Sequence, residues 1–157
     1  MSLQAHSPAE LPPAEQPDLA EQGWRRMHPE GLTGYDALLP VLLVRPGDPG
    51  RAEARVETGS HSLNVLGGFH GGYLASIGEL VLFLPLFLHG KVSSQGAITV
   101  DFTIQFMAGG GAGSPLLVSI ELLHETGRMA FLRGVMEQDG RRVAAFTGTM
   151  RKLGAAR

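Results

Sequence analysis

Asn64-Val65-Leu66-Gly67-Gly68-Phe69-His70-Gly71-Gly72 runs directly into an apolar stretch that extends to about Leu88, and Glu79 stands inside it. The pattern predicts a loop, a helix start, then one helix in the core. His-Gly-Gly at that start aims backbone N–H groups without intrahelical partners at whatever lies in front of them. A carboxylate within an apolar helix is costly to bury, so Glu79 is expected to be a buried acid with a purpose. Pro85 lacks a backbone donor and crowds the preceding turn. The helix therefore either ends near Leu84 or kinks there, with an irregular segment running on to Gly90.

Strands follow the helix. Ile98, Val100, Phe102, Ile104 and Phe106 alternate with Thr99, Asp101, Thr103 and Gln105, which predicts a strand with one apolar and one polar face. Ala108 to Ser114 is a glycine-rich connection, and Leu116 to His124 is a second strand. Thr126-Gly127 turns into Met129 to Gln138. Asp139-Gly140, a stronger hairpin signal, turns into Arg142 to Lys152. Upstream, the apolar run Asp36 to Val44 ends at Arg45-Pro46-Gly47-Asp48-Pro49-Gly50, a turn. Arg51 to Thr58 alternates as a half-buried strand, and Gly59 to Phe69 is a loop. Strands, one long helix, then a meander give an α+β domain: an antiparallel sheet packed on one helix.

This domain is expected over residues 35–153. Residues 1–34 read as an N-terminal Pro-rich segment: a mobile tail over 1–18, a short helix from Asp18 to Met27 capped by Asp18, and a loop from Gly31 to Gly34. Leu19 and Trp24 are expected to dock on the domain. Residues 154–157 are a C-terminal tail.

Bulk composition narrows the function. The chain has 157 residues, 43% hydrophobic and 18% charged, a globular composition with room for one real core. A formal net charge of −2 gives no electrostatic case for nucleic acid. With no cysteine, a disulfide framework, a thiolate zinc site and a Cys nucleophile are excluded. Met1 to Pro8 has neither a basic nor an apolar leader region, so a cytoplasmic location is expected. Leu80 to Leu88 is very apolar, but a membrane span needs about 20 such residues, and extending it backwards takes in Glu79, Gly78 and Ser76. A core helix is the expectation, with no membrane partner.

Spacing yields the sharpest inference. Gly71 and Glu79 are eight residues apart on one helix, about 12 Å along its axis at 1.5 Å per residue. One ester or thioester carbonyl cannot touch both within a subunit. If both act on one substrate, two helices must pair with their ends offset, as a two-fold dimer allows. Gly71 would then be an oxyanion-hole donor, since its missing side chain lets a substrate oxygen approach the N–H at the positive end of the helix. Glu79 would be the base or nucleophile. Asn64 would hold a water, His70 would orient the loop or donate to substrate, and Thr99 would hydrogen-bond the carboxylate or the water. Each residue alone has a plainer reading. Gly71 and Gly72 suit a helix-start loop, His70 a cap, Glu79 an ion pair, and Thr99 an ordinary strand position. His61 and His70 suggest a metal, but no supporting carboxylate or Cys pattern follows. It is the combination at these spacings that points to acyl chemistry.

Asn64-x-x-Gly67-x-x-His70-Gly71-Gly72, with an acid nine residues after the His, resembles the hotdog-fold acyl-CoA thioesterases of the PaaI-like (phenylacetic acid degradation) branch. The likeness continues through Ile98 to Met107, Leu122 to Gly134 and Val143 to Lys152, and covers about residues 35–153. The resemblance implies a long helix wrapped by an antiparallel sheet, homodimers that often pair into homotetramers, an acyl-CoA substrate, and no metal or redox cofactor. It carries over Asn64, His70 and Gly71 from one subunit with Glu79 and Thr99 from the other. Gly72, Arg128, Arg151 and Lys152 are the expected substrate contacts, the three bases toward the CoA phosphates. Two departures stand out: the acid, often Asp in this branch, is Glu79 here, and glycine-rich Ala108 to Ser114 replaces a commoner Pro-containing turn. A hotdog hydratase or dehydratase, and a non-catalytic acyl-CoA-binding protein that keeps the fold, are the alternatives.

Overall fold

The computed structural model describes residues 11–27 and 34–153. Seven strands form one antiparallel sheet: β1 (Arg25–Met27), β2 (Leu42–Pro46), β3 (Arg51–Val56), β4 (Ala97–Phe106), β5 (Leu116–Glu125), β6 (Met129–Gln138) and β7 (Arg141–Lys152). Their order across the sheet is β1-β2-β3-β5-β6-β7-β4. The strand that follows the helix thus closes onto the last strand and forms one edge. The hairpins fall where turn chemistry put them. Asp139 takes a left-handed conformation (φ 51°) before Gly140, as a two-residue hairpin turn requires.

The central helix is broken. Helix α2 spans Gly71–Val81 and α3 spans Leu84–Leu88, with Pro85 in the first turn of α3, where its missing N–H costs nothing. Leu74, Ile77, Val81, Leu82, Leu84, Leu86 and Phe87 are buried together with Leu42, Val44, Val56, Leu116, Leu132, Met136 and Phe146 from the sheet. Among the described residues, Gly71–Leu88 is long and apolar enough by length and composition to cross a membrane; here it is the core helix under the sheet.

Helix and sheet touch at glycines. A Cβ on Gly78 would lie 2.9 Å from the Phe102 ring and 3.0 Å from Met136 Cε. One on Gly148 of β7 would lie 2.5 Å from a Leu82 methyl and 2.9 Å from the Asp101 carbonyl oxygen. Only glycine permits this approach.

The N-terminal segment differs from the expectation. Residues 1–10 lie outside the described residues, but from Leu11 onward the chain packs on the domain. Ala14, Leu19 and Trp24 form a small buried cluster against Leu43, and the Arg45 guanidinium lies 4.5 Å from the Trp24 ring centre. Helix α1 is shorter than predicted, Pro17–Glu21, and begins at Gln16 without a side-chain cap, Asp18 sitting in its first turn. Gly23, in a left-handed conformation, ends it and lets Arg25–Met27 become a strand. Of the predicted loop Gly31 to Gly34, residues 31–33 lie outside the described residues. The apolar run from Asp36 divides into a 3₁₀ turn, Gly34–Leu38, and β2.

Because the Asp101 carbonyl cannot swing away as a side chain can, Gly148→Ala should destabilise the fold by about 1–3 kcal/mol. Urea unfolding monitored by Trp24 fluorescence checks this; an unchanged midpoint would mean that β4 and Leu82 yield to the added methyl.

Candidate active site

The loop before α2 is built by its own side chains. The Asn64 side-chain oxygen accepts from Leu66 N–H (2.8 Å), and its amide N–H donates to the Phe69 carbonyl (3.1 Å). The backbone closes the turn through Asn64 N–H to Gly68 O (2.7 Å) and Gly67 N–H to Asn64 O (3.0 Å), with Gly67 in a left-handed conformation. Asn64 is thus a loop organiser, with one amide N–H and one lone pair left for a water.

His70 is the N-cap of α2. Its Nδ1 accepts the Gly72 N–H at 3.0 Å, so the ring proton lies on Nε2, on an exposed side chain. One of the two expected free donors, the Gly72 N–H, is therefore taken. The Gly71 N–H has no acceptor among the described residues. The Phe106 ring lies 3.2 Å from where a Gly71 Cβ would be. A free amide at a helix N-terminus, without a side chain, is an anion-binding donor.

Glu79 departs from the expectation of a buried acid. It is exposed, because the apolar residues of α2 point into the core while Gly72, Ser76 and Glu79 fall on the one stripe that the protomer's own sheet does not cover. Thr99 Oγ1 donates to Glu79 Oε1 at 2.7 Å; Oε2 has no protein partner among the described residues. Thr99 reaches the helix because β4 carries a bulge between Thr99 and Asp101. The extra residue, Val100, switches the alternation. Thr99 faces inward with Phe102 and Ile104, while Ile98 (41% exposed) and Val100 (59%) face outward. The predicted single apolar face from Ile98 to Phe106 is therefore wrong at its first two members.

The structure brings Asn64, His70 and Gly71 together at one end of α2, and Glu79 and Thr99 two turns away. Helix α2 is continuous between them, so the separation of about 12 Å stands. Arg128 and Arg151 are exposed where the β5–β6 turn meets β7; neither has an ion-pair partner among the described residues. Lys152, opposite Ala97 on β4, differs. It pairs with Glu125 at 3.1 Å, a carboxylate that Lys91 also pairs with, so its ammonium already has a partner within the protein.

Two contributors went unpredicted. Gln138, 7% exposed, accepts from Gly111 N–H (2.9 Å) and donates to the carbonyls of Gly111 and Ser114 (both 2.7 Å). It pins the glycine-rich connection, whose Gly110 carbonyl takes the Phe69 N–H at 2.9 Å. That chain of contacts fixes the residue before His70. An amide at the end of a strand beside a hairpin gave no signal of this. Tyr73, stacked with Phe69 and edge-on to His61, has a buried hydroxyl without a hydrogen-bond partner among the described residues. Burial pushes its pKa up.

The family model of the thioesterase superfamily matches residues 66–145, from the loop through the site to the last hairpin. The chain belongs to the thioesterase superfamily. Its fold, a seven-stranded antiparallel sheet around a central helix, is the hotdog fold. Similar solved structures include zebra fish thioesterase superfamily member 2 (21% identity, TM-score 0.67, covering 79% of this chain and 89% of that one). A hypothetical thioesterase of Streptococcus pneumoniae with coenzyme A has 22% identity and TM-score 0.64, covering 71% and 84%. The E. coli PaaI protein of the phenylacetic acid degradation operon has 23% identity and TM-score 0.60, covering 72% and 80%. No curated protein sequence matches.

Hydrogen bonding to Lys91, then to Lys152, holds the Glu125 carboxyl below its ordinary value of 4.5. A depressed folded-state pKa contributes stability above the unfolded value and loses it as pH falls through the folded one. The stability of the Lys91–Glu125–Lys152 cluster should therefore fade below about pH 4.5. Thermal melts from pH 6 to 3 should fall less steeply for Glu125→Gln than for the parent; parallel curves would remove this linkage.

Proposed function

We propose that this protein hydrolyses an acyl-CoA thioester to the free acid and CoA, at a site shared between two subunits. One observation carries the reading: a carboxylate oriented by Thr99 and a helix-start N–H with no acceptor among the described residues stand eight residues apart on one continuous helix, too far apart to serve one carbonyl alone. Pairing of two protomers across their α2 helices would set Glu79 and Thr99 of one against Asn64, His70 and Gly71 of the other. The partial exposure of Phe106 and Met107, the nearly full exposure of Val65 and Leu66, and the edge position of β4 support a partner there. A dimer, or a dimer of dimers, is the proposed assembly.

The chemistry follows from the groups. Gly71 N–H receives the thioester carbonyl oxygen and strengthens its bond as negative charge develops; one such donor is typically worth ~10²–10³ in rate. The Glu79 oxygen that Thr99 leaves free attacks the carbonyl carbon, forming an anhydride that water then opens, or takes a proton from a water that attacks. Both routes break the same C–S bond and release the CoA thiolate. His70 Nε2–H is a donor at the rim, and Asn64 keeps the loop in shape. Coenzyme A in the pneumococcal thioesterase crystal supports CoA as the carrier, and Arg128 and Arg151 are the proposed phosphate contacts. Lys152 joins them only by loosening its hold on Glu125.

Glu79→Gln keeps the Thr99 contact and removes the charge. Turnover on acyl-CoAs, followed by free thiol release, should fall roughly 10²-fold or more with little change in KM. Near-native turnover would reduce Glu79 to a structural role, and CoA binding without any hydrolysis by the parent would favour the non-catalytic alternative.

Complementation tests the shared site. His70→Ala and Glu79→Ala are each assayed as pure proteins and, where each abolishes activity, mixed by co-unfolding and refolding. Random pairing makes about half of the dimers mixed, and each mixed dimer has one intact site. Activity should return to about a quarter of the parent's if the sites are independent. No recovery in a verified heterodimer, or an active monomer by light scattering, would overturn the intersubunit arrangement.

A further inference from the structure

The 3₁₀ turn Gly34–Leu38 places Tyr35 over the same helix stripe. Its hydroxyl lies 2.6 Å from Ser76 Oγ, and Ser76 Oγ donates to the Gly72 carbonyl at 2.8 Å. A serine has one hydroxyl proton. Tyr35 is therefore the donor, in a chain running Tyr35 to Ser76 to Gly72. Ser76 stands one turn before Glu79, about 4.5 Å along the axis, and about 7.5 Å beyond Gly71. At 100° per residue, Gly72, Ser76 and Glu79 share a stripe about 60° wide. Tyr35 is thus anchored by its tip between the two proposed functional ends of α2.

The rest of that side chain is open: Tyr35 is 63% exposed and Leu38 77%. In a 3₁₀ turn, residues three apart eclipse one another, so the two form one apolar surface flanking the stripe. Nothing in the protomer's own core uses it, since neither residue belongs to the buried cluster. A tyrosine tied by its hydroxyl to Ser76, one helical turn before Glu79, with most of its side chain exposed, suits contact with something that arrives.

We propose that Tyr35, with Leu38 behind it, forms a wall of the acyl pocket and sets how long or bulky an acyl group fits beside Glu79. This rests on the thioesterase reading above. The acyl chain leaves the thioester carbonyl along the Ser76 side of the stripe and meets the Tyr35 ring. The hydroxyl chain to Gly72 keeps that ring from swinging aside. The ring limits the pocket by its volume, and the hydrogen bond only holds it in place. Tyr35 is accordingly a specificity residue and does not take part in bond breaking.

The experiment compares the parent with Tyr35→Ala, Tyr35→Phe and Leu38→Ala on straight-chain and aromatic acyl-CoAs of graded size. Tyr35→Ala should raise kcat/KM for long or bulky acyl groups relative to short ones by about 10-fold or more. Tyr35→Phe, which keeps the ring but loses its tether, and Leu38→Ala should each shift that ratio in the same direction by less, about two- to three-fold. A Tyr35→Ala variant that melts like the parent yet keeps its acyl profile overturns the proposal. So does a Tyr35→Phe variant that shifts as far as Tyr35→Ala, because the hydroxyl would then be the determinant. If Tyr35→Ala fails to fold, Tyr35→Val is read by the same criteria. Dissociation constants for non-hydrolysable acyl thioether analogues of CoA separate the two claims. A parent that hydrolyses nothing overturns the activity reading. The affinity ratio of long to short analogues in Tyr35→Ala against the parent still decides the pocket wall.

Discussion

Helix α2 lies so close to the sheet that glycine is needed on both surfaces. Gly78 on the helix lets Phe102 and Met136 in, and Gly148 on β7 lets Leu82 in. The approach lets Leu74, Ile77, Val81 and Leu82 reach nearly complete burial, each worth roughly 1.5–3 kcal/mol relative to exposure. It also fixes the rotation of the helix about its axis. Side chains pointing at the sheet cannot be exchanged for their neighbours without driving a Cβ into a carbonyl or a ring. The stripe left uncovered, Gly72–Ser76–Glu79, is therefore set by core packing. The proposed chemistry occupies that remainder, on a rigid element rather than a loop, as precise positioning demands.

The bulge in β4 belongs to the same constraint. Without it, strict alternation would put Thr99 on the outer face with Thr103 and Gln105, and Ile98 on the inner face. One inserted residue, Val100, returns Thr99 to the helix side at the level of Glu79, at the expense of exposing two apolar side chains. A strand that spends apolar surface to aim one hydroxyl at one carboxylate has subordinated packing to that contact. Bulges that re-aim a side chain beside a site are a recurrent device of sheets. The Ile98 and Val100 surface it creates is also available to neighbouring protomers, which fits the proposed assembly.

Much of this was legible because it depends on local chemistry. Asp139-Gly140 fixed a hairpin through its need for positive φ. The apolar run from about Gly72 to Leu88 marked the core helix, and Pro85 its interruption; the break itself falls just before, at Leu82–Phe83, and Leu84–Leu88 is a short helix rather than an irregular segment. His-Gly-Gly marked a helix start with a free donor. What escaped depends on tertiary geometry. A bulge is one extra residue in an alternation, and Thr-Val-Asp in β4 reads equally well without it. The exposure of Glu79 could not be inferred from apolar neighbours, because burial depends on which side the sheet lies. The partition of donors between Gly71 and Gly72 was set by the His70 ring, whose capping role and rim position coexist. Gln138 and Tyr35 act across long sequence separations, on Gly111 and Ser76 respectively, and no local pattern announces such contacts.

The two ends of α2 also differ electrostatically in a way that favours division between subunits. The positive end of a helix acts on charge within about one turn, so Gly71 N–H and its neighbours favour a developing oxyanion. Glu79 sits two turns on, beyond that influence, and does not compete for the donor. An acid placed within the first turn would occupy the oxyanion site itself. For the proposed reaction the acid must therefore be distant along its own helix, yet near the donor in space. Within one straight helix these requirements exclude each other, and the continuity of α2 between Gly71 and Val81 leaves no bend to reconcile them. A second helix running past in the opposite sense meets both requirements twice over, once at each end. On the proposed reading, pairing of protomers is what turns two separately harmless features of one helix into a catalytic arrangement.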